Sequence, residues 1–105
     1  MAKLIVSLQA QSDEACIIRD LAGKAGRPVA GKYAASIDEL FVRLMAFPES
    51  GAPRPSIGKR VRIGVIWPYV VLSEYTAAND TVTILRIVHG RRRITGKMLL
   101  SNTDA

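Results

Sequence analysis

Thr81–Arg93, TVTILRIVHGRRR, decides how this chain is read. Thr81–Val88 alternates polar and aliphatic residues and is rich in β-branched side chains, the pattern of a half-buried strand. It runs straight into His89-Gly90 and then Arg91, Arg92 and Arg93. The most core-like stretch is thereby joined to the densest positive charge, and the rest reads as a scaffold that presents this strand's end.

Working back from it, Ala77–Asp80 is a turn, because Asn and Asp tolerate the backbone angles a turn needs. Tyr69–Tyr75 reads as a strand, Pro68 marks a turn, and Arg60–Ile66 alternates Val61, Ile63 and Val65 against Arg60, Arg62 and Gly64. Short turns make these three strands an antiparallel meander. Ser50–Lys59 is a Pro/Gly loop without period. Before it, Tyr33, Ile37, Leu40, Phe41 and Leu44 form a continuous apolar stripe at helical spacing. The pattern predicts a helix from Val29 to Phe47, roughly 28 Å long and stopped by Pro48. An earlier helix is expected to start at Ser12-Asp13-Glu14, with Ser12 as its cap and the acids at the positive end of its dipole. Its apolar face is Ile18, Leu21, Ala22 and Ala25, and Gly26-Arg27-Pro28 ends it. Lys3–Leu8 reads as a first strand. After Gly96 a short helical or loose tail is expected.

The expected fold is therefore α+β, in the order β-α-α-β-β-β. A helix hairpin packs on a small, mainly antiparallel sheet. Whether the first strand lies at an edge or beside the last strand is not readable from pattern. The length of 105 residues, 49% hydrophobic, suits one domain over residues 1–105.

Fifteen Lys and Arg against nine Asp and Glu give +6, which favours nucleic acid, an anionic surface or an acidic protein as partner. Cys16 is the single cysteine and His89 the single histidine. That leaves no internal disulfide, no cysteine-rich zinc site and no metal expected. No apolar run approaches the ~18–20 residues of a membrane span, and the N-terminus is a poor signal peptide. No membrane association and a cytoplasmic location are expected. No cofactor is expected either. Gly26–Lys32 has the spacing of a phosphate loop, but Tyr33 stands where Ser or Thr should hold magnesium and a helix precedes it. Gly90–Lys97 has one residue too many.

His89 could serve as a general acid or base with Glu74 as its nearest second group, although a lone His at a strand end is more often structural. Arg62, Glu74 and Arg86 are placed on one sheet face if the last strands are adjacent, a footprint for phosphate or an acidic protein. Trp67, Tyr69 and Tyr75 are expected to fill the core or its rim rather than stack on bases. Cys16 is expected to be a small buried hydrophobe.

The ordered wording of half the chain resembles a known family. Phe47-Pro48 as a helix stop, Gly51–Pro55 (G-x-P-R-P), Pro68-Tyr69-Val70 and Ile84–Arg92 (ILRIVHGRR) together resemble the ParE branch of the ParE/RelE bacterial toxins. The N-terminal half matches only as a strand and helix hairpin of suitable length. The resemblance implies the toxin of a type II toxin–antitoxin system, of the kind found in plasmid stabilisation. It implies a ParD-like antitoxin that wraps the toxin, DNA gyrase as the inhibited target, and contact with operator DNA only through the antitoxin. The RelE branch instead cuts mRNA on the ribosome, with basic sheet residues and a late aromatic. Arg62 and Arg86 are compatible with those basic positions, but no aromatic follows His89. The gyrase branch is therefore favoured and no catalytic residue is assigned. Arg62, Arg86, His89, Arg91, Arg92 and Arg93 are the expected target- or antitoxin-binding residues. The alternatives are a ribosome-dependent endoribonuclease and a general nucleic-acid-binding domain.

Overall fold

The computed structural model describes residues 1–91 of the chain. The expected tail, with Arg92 and Arg93, lies outside the described residues. The elements in order are β1 (Lys3–Val6), α1 (Leu8–Ala25), α2 (Arg27–Ala46), β2 (Ala52–Pro53), β3 (Val61–Ile66), β4 (Tyr69–Thr76) and β5 (Thr81–His89). The sheet order is β1-β5-β4-β3-β2. The α+β architecture is as expected, with β3, β4 and β5 in an antiparallel meander.

Three local readings change. The first helix begins at Leu8, not at Ser12, because Ser7 is its cap. The Ser7 hydroxyl oxygen accepts from Ala10 N at 3.0 Å and the hydroxyl donates to Leu85 O at 2.9 Å. One side chain thus ends β1, starts α1 and fastens both to β5. Leu8, read as strand, is the helix's first residue and is 82% exposed. The second helix starts at Arg27, since Pro28 sits in its first turn where no backbone N–H is needed. The loop after α2 contains the two-residue β2, which pairs Ala52 with Ile63 and Pro53 with Arg62 at the sheet edge. It is too short for any period to show, and its proline is tolerated because it lies on an edge.

Gly26 joins the helices alone. Its backbone, at φ 92° and ψ 162°, lies in a region nearly reserved for glycine, so the chain reverses in one residue. The expected α2 stripe holds: Ile37, Leu40, Phe41 and Leu44 are buried and Tyr33 is half-buried. The four buried residues pack with Ala10, Val71, Val82, Ile84 and Ile87 into the core between helices and sheet. Leu40 lies over Gly64, where a Cβ would meet its methyls at 3.2 Å. The missing side chain lets α2 approach β3. On the opposite sheet face, Val61, Leu72 and Val88 form a second cluster with Ile57, Ile63, Val70 and Leu85.

β1 lies parallel to β5, at the edge and beside the last strand at once, in the register Lys3–Thr81 to Val6–Ile84. Beyond Val6 the edge of β5 loses its partner strand, and other groups replace it. Ser7 N donates to Ile84 O at 3.0 Å, the Ser7 hydroxyl takes Leu85 O, and Ile87 N donates to Asp13 Oδ2 at 3.0 Å. These bonds satisfy backbone groups that would be costly to leave unmade.

Candidate interaction surface

The end of β5 is built by strand pairing. His89 lies opposite Tyr69 at the last rung of the β4–β5 ladder. Gly90 N then donates to Pro68 O at 2.7 Å, which ties the chain leaving β5 to the β3–β4 turn. Arg91 N donates to His89 Nδ1 at 3.1 Å. That nitrogen is therefore the acceptor, and in the neutral ring the proton sits on Nε2. His89 and Arg91 are both exposed.

An aromatic row backs this end. The Tyr69 ring meets His89 edge-to-face at 5.7 Å between centroids, and Tyr33 meets Tyr69 likewise at 5.6 Å, within the range where such pairs attract. The Tyr33 hydroxyl donates to Trp67 O at 3.2 Å. Burial, then the neighbouring Tyr33 and Asp20, raise the Tyr69 phenol above its ordinary value. Two clefts flank the row. Cys16, Asp20, Lys24, Tyr69 and His89 line one, and Val29, Lys32, Tyr33, Ser36, Ile66 and Trp67 line the other. Tyr69 and Tyr75 are half-buried, as rim residues should be. Trp67, however, is 78% exposed: it sits in the turn, where strand alternation no longer turns side chains inward. Cys16 is likewise exposed rather than buried, and its sulfur accepts from Arg19 Nη2 at 3.5 Å.

The expected partner of His89 for proton transfer is elsewhere. Glu74 is further along β4 from Tyr69, about 17 Å at the strand rise, and lies opposite Val61 and Thr83. The shared face proposed for Arg62, Glu74 and Arg86 also fails. Arg62 pairs with Ser73, the neighbour of Glu74, so the two side chains leave opposite faces. A register shift at Leu72/Ser73 puts Arg86 opposite Leu72.

The sequence of residues 4–94 matches the family model described as ParE toxin of the type II toxin–antitoxin system parDE. The chain belongs to the ParE toxin family. Among its relatives, the toxin ParE3 of Caulobacter vibrioides is 30% identical over 98 residues, covering 93% of this chain and 96% of that one. The solved chromosomal ParDE system from P. aeruginosa contains a chain with a TM-score of 0.70 and 26% identity, covering 85% of this chain and 96% of that chain. A chain of the RelBE2 toxin–antitoxin complex from Mycobacterium tuberculosis shares the fold, with a TM-score of 0.60 and 19% identity over 84% of this chain and 96% of that one.

In this ParE-family toxin the expected binding residues do not form one cluster. His89 and Arg91 stand together at the exposed end of β5. Arg62 is near the opposite end of β3, where its Nη1 donates to Glu49 O and Gly51 O, both at 2.9 Å, and its Nη2 lies 3.5 Å from Glu49 Oε2. It pins the loop between α2 and β2. Arg86 is 6% exposed, and its Nε and Nη2 donate to Asp13 Oδ2 and Oδ1 at 2.7 and 3.1 Å. Arg92 and Arg93 lie outside the described residues. Sequence reasoning missed Asp13 as the anchor of β5, because nothing in a linear pattern pairs it with Arg86. It also missed Trp67 as an exposed group, although its place beside a turn proline was a usable signal. Among the described residues no His, Cys, Asp and Glu gather as a metal site, and no helix is long and apolar enough to cross a membrane.

Proposed function

We propose that this type II toxin arrests growth by binding DNA gyrase and inhibiting it, without catalysing a reaction of its own. The observation that carries the choice over an mRNA-cleaving toxin is the commitment of its basic sheet residues. Arg86 is buried against Asp13 and Arg62 is spent on the α2–β2 loop, so neither presents a free guanidinium to a phosphate. His89 has no carboxylate bonded to it among the described residues, and no aromatic follows it in the chain. His89 and Arg91–Arg93 are the proposed contacts to target or antitoxin, and Arg62 and Arg86 support them by holding the scaffold. Neutralisation falls to a ParD-like antitoxin that wraps the toxin in the cytoplasm and alone contacts operator DNA. The partly exposed apolar sheet face of Ile63, Val65, Val70 and Leu85 suits a segment that folds on binding, and the charge of +6 would speed capture by an acidic one.

The test is a supercoiling assay with purified gyrase, using free toxin and toxin with antitoxin. Inhibition relieved by antitoxin is the expected result. Full supercoiling in the presence of folded toxin would remove gyrase as target, and ribosome-dependent mRNA cleavage would be assayed next.

A further inference from the structure

The β3–β4 turn is held at two consecutive carbonyls. Trp67 O accepts from the Tyr33 hydroxyl at 3.2 Å and Pro68 O accepts from Gly90 N at 2.7 Å. The backbone is thus fastened to α2 on one side and to the end of β5 on the other. The indole it carries is nevertheless 78% exposed. An isolated exposed apolar residue needs no explanation, but this one stands on a braced turn beside a cation. Lys32 lines the cleft beside it. Arg91 follows directly on the glycine bonded to Pro68. Lys24 and Arg27 flank Gly26 at the helix reversal, and no acid occurs between Gly23 and Ile37 or between Ile63 and Ser73. The neighbouring cleft holds two carboxylates, Asp13, which is bound to Arg86, and Asp20.

We propose that Trp67 is a stacking platform for a base of single-stranded DNA, with Lys32 and Arg91 contacting the adjoining phosphates. A cationic surface carrying an exposed ring is how strands are held without sequence preference, and stacking needs a base face free of a duplex neighbour. A protein hot spot favours the indole less. Such residues are ringed by contacts that exclude water, whereas here polar Lys32 and Ser36 line the cleft together with Val29, Ile66 and half-buried Tyr33. The choice of DNA over RNA rests on the gyrase reading, because that enzyme opens DNA.

Trp67 is the only tryptophan, so its own fluorescence reports occupancy. Titrating the toxin alone with short oligo(dT) at low salt should quench or shift the emission. Anisotropy of labelled oligo(dT) should show Trp67→Ala binding about five- to hundredfold more weakly, the range for one stacked base, with Trp67→Phe close to the native protein. Lys32→Ala should flatten the salt dependence by about 0.7 in log–log slope. Circular dichroism confirms that each variant folds. Native-like binding by Trp67→Ala, preference for duplex or for oligo(U), or quenching by polyglutamate and not by oligo(dT) each overturns the inference. None of these readouts uses gyrase, so a negative supercoiling assay and a negative titration are separate results.

Discussion

Asp13 illustrates how much one side chain can hold. It accepts both forks of the Arg86 guanidinium and also the backbone N–H of Ile87. Removing it leaves a buried cation unpaired and a strand N–H unmet. Asp13→Ala should cost about 3–5 kcal/mol, the usual penalty for breaking a buried pair from one side, measured by urea unfolding. Asp13→Asn, which keeps an acceptor, should cost less. An unchanged midpoint for Asp13→Ala would mean that the pair is not holding the β5 edge. Glu14, the next residue, works the other way. Burial first, and Asp38 on α2 second, raise its acid above the ordinary 4.5. A raised carboxylic acid favours the folded state when protonated. That contribution is complete below 4.5 and is lost as pH rises through the raised value. Glu14→Gln should therefore unfold at a higher temperature than the native protein at neutral pH, with the gap closing as pH falls below 4.5. A gap that widens in acid would reverse the sign of this argument.

The helix hairpin depends on a single residue for its reversal. α1 ends and α2 begins on Gly26, whose backbone lies where a Cβ is strained. Gly26→Ala should destabilise by about 1–3 kcal/mol, read by thermal or denaturant unfolding. A neutral substitution would show that the turn relaxes to another conformation. β5 is the other decisive element. It pairs with β1 on one side and β4 on the other, and its last rung sets His89 against Tyr69. Its strand character was legible in its β-branched and aliphatic residues, but it is buried on both faces rather than half-buried, because both faces of the sheet carry apolar clusters. Its bulge at Leu85, which the ladder skips between Arg86 opposite Leu72 and Ile84 opposite Ser73, was not legible, because a register shift changes which residues face one another without changing any residue.

Across the whole molecule the strands separate two basic ends. Arg54, Lys59 and Arg60 lie near the start of β3, whereas His89 ends β5 and Arg91 lies just beyond it, with Trp67 at the turn that opens β4. If the β5 end carries the interaction, alanine at Arg91, Arg92 and Arg93 together should leave stability unchanged and abolish growth arrest or weaken antitoxin binding at least tenfold. Growth arrest and antitoxin affinity both equal to the native toxin's would exclude the arginine run. Alanine at Arg86 should instead lower stability first, because its partner is inside the protein.

Residue order alone determined the two helices, the meander and the family resemblance. Those rest on local periodicity and on short motifs, the Phe47-Pro48 stop, the Gly51–Pro55 loop and the Ile84–Arg92 strand exit. Charge, too, is a property of the sequence. The tertiary structure decided where β1 pairs, which cations are free and which aromatic is exposed. β1 finds β5 across nearly the whole described chain, a long-range choice that no window of sequence contains. Arg62, Arg86 and Arg91 are the same residue type, yet the fold buries one, ties one to a loop and leaves one at the surface. That difference arises because a guanidinium's availability depends on the acceptors folding brings to it.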